Sequence, residues 1–226
     1  MTPYYDRAGI RLFLGDCREV LPTLNLSKVA LVLTDPPYGV NERCDRKAKG
    51  REMAAECNDF PPVHGDDKPF DPTHLLALEK PAVIWGANYF AELLPRSPSW
   101  IVWDKRDGIP SNDNADCEFA WSNLGGPARI FRHLWNGMIK ASEREDRRVH
   151  PTQKPVALSQ WILERATITG DTILDPYAGS GSALVAALRM ERRAIGVEYE
   201  RAYCDVIAKR IDRELAQGDL FRKAAP

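Results

Sequence analysis

The strongest constraint on this chain is a recurrence of short apolar runs, each cut off abruptly at a glycine, an acid or a proline pair. Arg11–Leu14 stops at Gly15-Asp16, Val29–Leu33 at Thr34-Asp35-Pro36-Pro37, and Ala82–Trp85 at Gly86. Trp100–Trp103 stops at Asp104, Thr172–Leu174 at Asp175 and Ala194–Val197 at Glu198. Such runs read as buried strands. Helical stretches lie among the later ones: Pro155–Ala166 behind an N-terminal proline, Ser182–Arg189 behind a glycine turn, and Arg201–Leu215 with good helix formers. Strands alternating with helices predict an α/β chain whose mixed, mostly parallel sheet is covered on both faces. Cys117–Ser122 and Arg129–Phe131 read as the arms of an antiparallel hairpin around Gly125-Gly126.

A length of 226 residues suits one sizeable domain, and 44% hydrophobic with 28% charged residues excludes wholesale disorder. No apolar run approaches the roughly 20 residues that cross a bilayer, and the N-terminus lacks a signal-peptide layout. The expected location is the cytoplasm, without membrane partners. Five scattered cysteines with no C-x-x-C pair read as reduced thiols. Cys44, Cys57 and His64 fit no usual zinc spacing, so no metal is expected.

A net charge of −1 excludes a uniformly basic nucleic-acid coat protein but permits a local basic surface. Pro127–Lys154 is such a place, with Arg129, Arg132, Lys140, Arg144, Arg147, Arg148 and Lys154 against Glu143, Glu145 and Asp146. Two stretches resist the strand–helix scheme. Val40–Thr73 is polar, then turn-rich, and Asp104–Asp116 is also turn-rich. A long loop directly after Asp35-Pro36-Pro37-Tyr38 reads as a lid or binding loop.

Two motifs carry chemistry. In Asp175-Pro176-Tyr177-Ala178-Gly179-Ser180-Gly181, a strand, a Gly-x-Gly turn and a helix start let backbone approach a ligand closely. Glu198 ends the next strand, 19 residues past Gly179, where a carboxylate can accept from both hydroxyls of a ribose. Leu184 stands where a dinucleotide fingerprint has its third glycine, which favours an uncharged or zwitterionic nucleoside ligand. In Asp35-Pro36-Pro37-Tyr38, two prolines hold a carboxylate, a carbonyl and an aromatic ring in fixed relation. Paired acceptors beside a ring suit a planar group bearing an NH2.

With these motifs the chain resembles the β group of DNA amino-methyltransferases that use S-adenosylmethionine. That family's catalytic motif is matched by Asp35-Pro36-Pro37-Tyr38 and its cofactor motif by Asp175–Gly181, in the β-group order. Gly15-Asp16-Cys17 and His150-Pro151-Thr152-Gln153-Lys154-Pro155 match two more of its motifs. Tyr177 departs from the usual phenylalanine. The resemblance implies a single Rossmann-like methyltransferase domain over residues 1–226, with 40–73 and 104–148 as candidate DNA-recognition insertions. It implies a cofactor cradle of Asp175, Tyr177, Gly179, Ser180 and Gly181, with Glu198 on the ribose and Asp16 with Cys17 on the adenine. Lys154, with His150 and Thr152 beside it, would hold the methionine carboxylate.

Asp35, Pro36, Pro37 and Tyr38 would be the catalytic residues, acting on a base flipped out of double-stranded DNA. Arg43, Arg46, Lys47, Lys49, Arg51, Arg144, Arg147 and Arg148 would meet phosphates. Aspartate at the motif's head favours adenine N6, and N4-cytosine methylation is the alternative within the family. A catalytically idle cofactor- or DNA-binding module is the reading outside it. The β-group order disfavours enzymes that methylate glutamine side chains. Too few residues remain for a separate recognition domain, which suggests a short or relaxed site. A homodimer is compatible with this reading, and a restriction partner is left unspecified.

Overall fold

Residues 1–41, 63–110, 115–136, 139–144 and 148–224 are described by the computed structural model. The chain opens with two strands, β1 (Tyr5–Arg7) and β2 (Ile10–Leu14), and a short helix α1 (Cys17–Val20). Next come β3 (Val29–Thr34), α2 (Thr73–Leu76), β4 (Ala82–Trp85), β5 (Trp100–Asp104), β6 (Cys117–Ser122) and β7 (Arg129–Arg132). A small pair, β8 (Trp135–Asn136) and β9 (Ile139–Lys140), precedes α3 (Val156–Ala166). The last four elements are β10 (Thr172–Asp175), α4 (Ser182–Arg189), β11 (Arg193–Glu198) and α5 (Arg201–Ala224).

Among the described residues nine strands form one sheet in the order β1-β2-β11-β10-β3-β4-β6-β5-β7. From β2 through β4 every neighbouring pair is parallel. All five strands therefore end on one edge, and they deliver Gly15-Asp16, Glu198, Asp175, Asp35 and Gly86 to it. Open α/β sheets place their ligands along that edge.

The hairpin expected of Cys117–Ser122 and Arg129–Phe131 does not form. Strand β6 instead inserts antiparallel between β4 and β5, and β7 pairs parallel with the outer side of β5. Side-chain burial explains the choice. Ala120 and Trp121 are nearly inaccessible and need cover on both faces, which an outer hairpin cannot give them. The antiparallel hairpin of the N-terminal half is β1–β2, turning at Ala8-Gly9.

Alternation along the strands divides the core. Leu12, Leu31, Leu33, Val83, Trp85, Ile101, Trp103 and Ile173 face one layer, which α3, α4 and α5 cover with Val156, Leu158, Ile162, Leu163, Leu184, Ile207 and Ile211. Phe13, Val32, Ile84, Leu174 and Val197 face the other, covered by Val20 and Leu21 near α1, by Leu75 of α2 and by Phe70 and Phe90. Each such aliphatic side chain, fully buried, is worth about 1.5–3 kcal/mol, so the layers rather than helix propensity hold the short elements. Among the described residues no helix is long and apolar enough to cross a membrane.

Candidate functional site

A cleft of about 1190 Å³ opens along the carboxyl edge of the sheet. Both sequence motifs line it. One half is built from backbone N–H groups and one carboxylate. Glu198 Oε2 accepts from Gly179 N at 2.8 Å, and Oε1 accepts from Glu200 N at 2.8 Å. Each oxygen keeps a lone pair for a further donor. Burial pushes Glu198 up to about 7, against the pull of those N–H groups.

Asp175 lies beneath the turn. Its Oδ1 accepts from Thr34 Oγ1 at 2.8 Å and from Tyr177 N at 3.2 Å, tying the ends of β3 and β10 together. Burial raises it to about 7. Gly181 takes φ +78°, and a Cβ there would meet Ile207 at 2.9 Å, so only glycine lets α4 start against α5. Ser180 Oγ is 3.1 Å from Ser182 Oγ, and the Ser180 carbonyl accepts from buried Arg210 at 2.6 Å. Arg210 escaped the sequence reading, although its place on α5 between Ile207 and Ile211, in a buried stripe, was a usable signal.

Asp16 caps α1 by accepting from Arg18 N at 2.8 Å, and it lines the cleft. Cys17 is buried beside His74, with Sγ 3.8 Å from Nε2, and burial pushes its thiol up. Tyr177, the departure from phenylalanine, shares a 2.9 Å hydrogen bond with His74 Nε2. Phe70 meets both rings edge-on, at 5.7 Å. His74 and Phe70 were not anticipated, because no motif frames them. His150 backs the turn: a Cβ at Gly179 would lie 3.6 Å from its Nε2. Its Nδ1 accepts from Thr152 N at 3.3 Å. Burial, Arg148 and Lys154 hold His150 down to about 3, so the ring is neutral.

The other half of the cleft is an ion cluster. Tyr38 donates to Asp35 Oδ1 at 2.6 Å, and Lys154 Nζ lies 2.5 Å from Asp35 Oδ2. The same ammonium reaches Glu118 Oε2 at 2.9 Å and the Tyr38 hydroxyl at 2.8 Å. Burial works against its charge, but Asp35 and Glu118 outweigh burial and push its pKa up. Burial also raises Asp35, against the pull of Lys154. Lys154 therefore stands between Asp35 and Glu118 rather than alone at the cofactor's expected methionine end. Gly86, at φ +70°, lies so close to Tyr38 that a Cβ would fall on the ring. On the open side Tyr89, itself exposed, stacks on Tyr38 at 5.2 Å and 20°. Pro36 and Pro37 complete this wall of the cleft.

The comparisons point to one family. The model of the N6/N4 DNA methylases matches residues 102–210. A type II methyltransferase of Moraxella bovis, M2.MboI, is 29% identical over 93% of this chain and 91% of its own length. M2.DpnII of Streptococcus pneumoniae is 22% identical over 94% of this chain and 93% of its own. The chain is similar to the N6/N4 DNA methylases over these residues. Among solved structures, the M1.HpyAVI complex with SAM aligns with a TM-score of 0.56 at 23% identity, covering 90% of this chain and 99% of that one. The PvuII cytosine-N4-specific DNA methyltransferase aligns at 0.63 with 16% identity, over 92% of this chain and 88% of that one. Both show the same fold.

The cationic candidates for phosphate contact divide. Arg43, Arg46, Lys47, Lys49, Arg51 and Arg147 lie outside the described residues, as do Cys44 and Cys57. Arg144 is exposed and donates to the Lys140 carbonyl at 2.9 Å. Arg148 lines the cleft and donates to the His150 carbonyl at 3.1 Å. His64 stacks on Tyr199 at 3.7 Å. Among the described residues no group of three or more His, Cys, Asp or Glu is arranged to hold a metal.

Glu198→Ala should weaken S-adenosylmethionine binding by about 2–3 kcal/mol, the scale of hydrogen bonds to a charged acceptor. The wild-type affinity should also rise from pH 6 to pH 8, because the carboxylate must shed its proton near 7 to accept from two hydroxyls. Calorimetry at both pH values measures both effects. Unchanged affinity on substitution would remove Glu198 from the site.

Proposed function

We propose that this chain transfers a methyl group from S-adenosylmethionine to the exocyclic N6 of an adenine flipped out of double-stranded DNA. The observation that carries the reading is the convergence of the two motifs on one cleft, with the Asp35 carboxylate at one end and the Glu198–Gly179 cradle at the other. The donor set fits the cofactor. Glu198 keeps acceptor capacity for ribose hydroxyls, Asp16 and the Phe70–Tyr177 wall suit an adenine, and Gly179 leaves backbone open to the ligand. S-adenosylmethionine, when bound, supplies an electrophilic methyl on its sulfonium.

The rest of the chemistry falls to this chain's residues. An exocyclic amino nitrogen is a poor nucleophile because its lone pair is delocalised into the ring. Asp35 and the Pro36 carbonyl, as paired acceptors, draw on its N–H bonds and stabilise the positive charge that develops on it. Tyr89, exposed and stacked on Tyr38, presents the open face of the Tyr38 wall to the flipped base. Holding base and cofactor in one cleft supplies the alignment. The nitrogen attacks directly and nothing adds to the ring, so no cysteine nucleophile is called for. Residues 40–73 and 104–148 would contribute DNA recognition.

Adenine is favoured by aspartate at the motif's head. N6-methyladenine is the expected product when DNA methylated by the protein is hydrolysed to nucleosides and identified by mass. N4-methylcytosine as the sole product would overturn the base assignment and leave the acceptor chemistry standing.

A further inference from the structure

We propose that Glu118 is a positioning residue for methyl transfer, one that shares the Lys154 ammonium and thereby weakens its hold on the Asp35 carboxylate that acts on the target amine. This rests on the reading of Asp35 as the acceptor for that amine.

Four charged side chains alternate in sign along the cleft. Asp35 meets Lys154 at 2.5 Å, Lys154 meets Glu118 at 2.9 Å, and Glu118 meets Lys105 at 3.0 Å. Two anions and two cations leave the row neutral. The sheet explains why Glu118 is there. It sits second on β6, which runs antiparallel to β4, so the start of β6 reaches the edge where the parallel strands end. Glu118 shares the parity of Ala120, and Asp35 continues the parity of Leu33; both point toward the layer of α3, from whose start Lys154 arrives.

Lys154 has three N–H donors, and the structure gives each an oxygen: Asp35, Glu118 and the Tyr38 hydroxyl. Its ammonium also lies 5.4 Å and 5.5 Å from the ring centroids of Tyr38 and Trp85. Lys154 is thus pinned between two carboxylates and cannot commit its whole charge to either. Lys154 and Lys105 outweigh the effect of burial and hold Glu118 ionised, down to about 2, so it remains a counter-ion at any working pH.

Without this anion the row carries one surplus positive charge. Lys154 would then bind Asp35 alone, taking up the lone pairs the amine needs. The surplus charge would also oppose the cation forming on the amino nitrogen. Both effects act on the transition state more than on cofactor binding.

Single-turnover transfer of a radiolabelled methyl group from S-adenosylmethionine to saturating DNA tests this. Glu118→Gln should slow the step on the order of 100-fold, the scale of losing one electrostatic element of an active site, with cofactor affinity within twofold of wild type. Adding Lys105→Gln restores neutrality and should recover at least tenfold, which a purely structural role would not produce. Should Glu118→Gln not fold, the neutral pair carries the test, and a rate as low as that of Asp35→Ala would overturn the proposal. A Glu118→Gln rate within threefold of wild type would overturn this inference alone, and so would the absence of rescue. No transfer by the wild-type protein would instead overturn the functional reading beneath it.

Discussion

Replacing Asp35 with alanine is expected to lower single-turnover methyl transfer by about 1000-fold or more while leaving S-adenosylmethionine affinity nearly unchanged. The separation follows from the architecture. The cofactor end is made by β10 and β11, through Gly179 and Glu198, and Asp35 supplies none of its hydrogen bonds. Asp35 instead holds the acceptor end, with Oδ1 on the Tyr38 hydroxyl and Oδ2 on Lys154. An acceptor aimed where charge appears is commonly worth about 10²–10³ in rate. Here the loss goes further, because alanine also leaves Lys154 with one carboxylate fewer and turns its charge toward the developing cation. Asp35→Asn keeps one oxygen acceptor and should fall between alanine and wild type. Equal losses of rate and cofactor affinity would mean that the loop collapsed or that Asp35 binds the cofactor. Parallel calorimetry and quench-flow measurements separate these outcomes.

The parts of the site that lie at strand ends were legible because burial and chemistry change over one residue there. Val29–Leu33 followed by Asp35-Pro36-Pro37-Tyr38, and Thr172–Leu174 followed by Asp175–Gly181, announce both the strand and the turn beyond it. Strand alternation placed those turns on a common edge. Glu118 was not legible. It lies inside Cys117–Ser122, where nothing local separates it from a solvated strand residue, and its position depends on β6 inserting between β4 and β5. Strand order beyond the parallel core is a property of tertiary cover. The same cause produced the mistaken hairpin with Arg129–Phe131, for which the adjacent glycines were a sufficient local reason. Lys154 was legible as a candidate site residue, through the motif before α3. Its partners were not, because they come from loops and strands 119 and 36 positions away in the chain.

Lys154→Met provides the second large effect, and it bears on that reassignment. The substitution keeps an unbranched side chain of similar length and removes the charge that lies near Trp85 and between two carboxylates. Breaking a buried pair by deleting one partner typically costs about 3–5 kcal/mol, because the partner's charge stays behind uncompensated. Here one surplus negative charge stays behind, because Lys105 still pairs Glu118 while Asp35 loses its only cation in the row. For a chain of this length the loss corresponds to a melting temperature lower by roughly 6–20 °C.

The sign of the pH dependence follows from the charges left in place. In the variant, Asp35 and Glu118 repel each other and gain protons more readily folded than unfolded. Their repulsion is therefore present at pH 8 and relieved as the pH falls toward 5, so the stability gap to wild type should narrow over that interval. Glu118→Gln added to Lys154→Met removes one of the two charges and should return part of the lost stability at pH 8. Urea unfolding followed by tryptophan fluorescence at both pH values measures all three quantities. The sequence resemblance places Lys154 on the methionine carboxylate, and that role predicts a different pattern. Cofactor affinity would fall sharply, stability without cofactor would hardly change, and Glu118→Gln would rescue nothing. A large stability loss with a narrowing gap at pH 5 assigns Lys154 to the carboxylates it touches, and makes it the residue that couples the integrity of the fold to the acceptor end of the cleft.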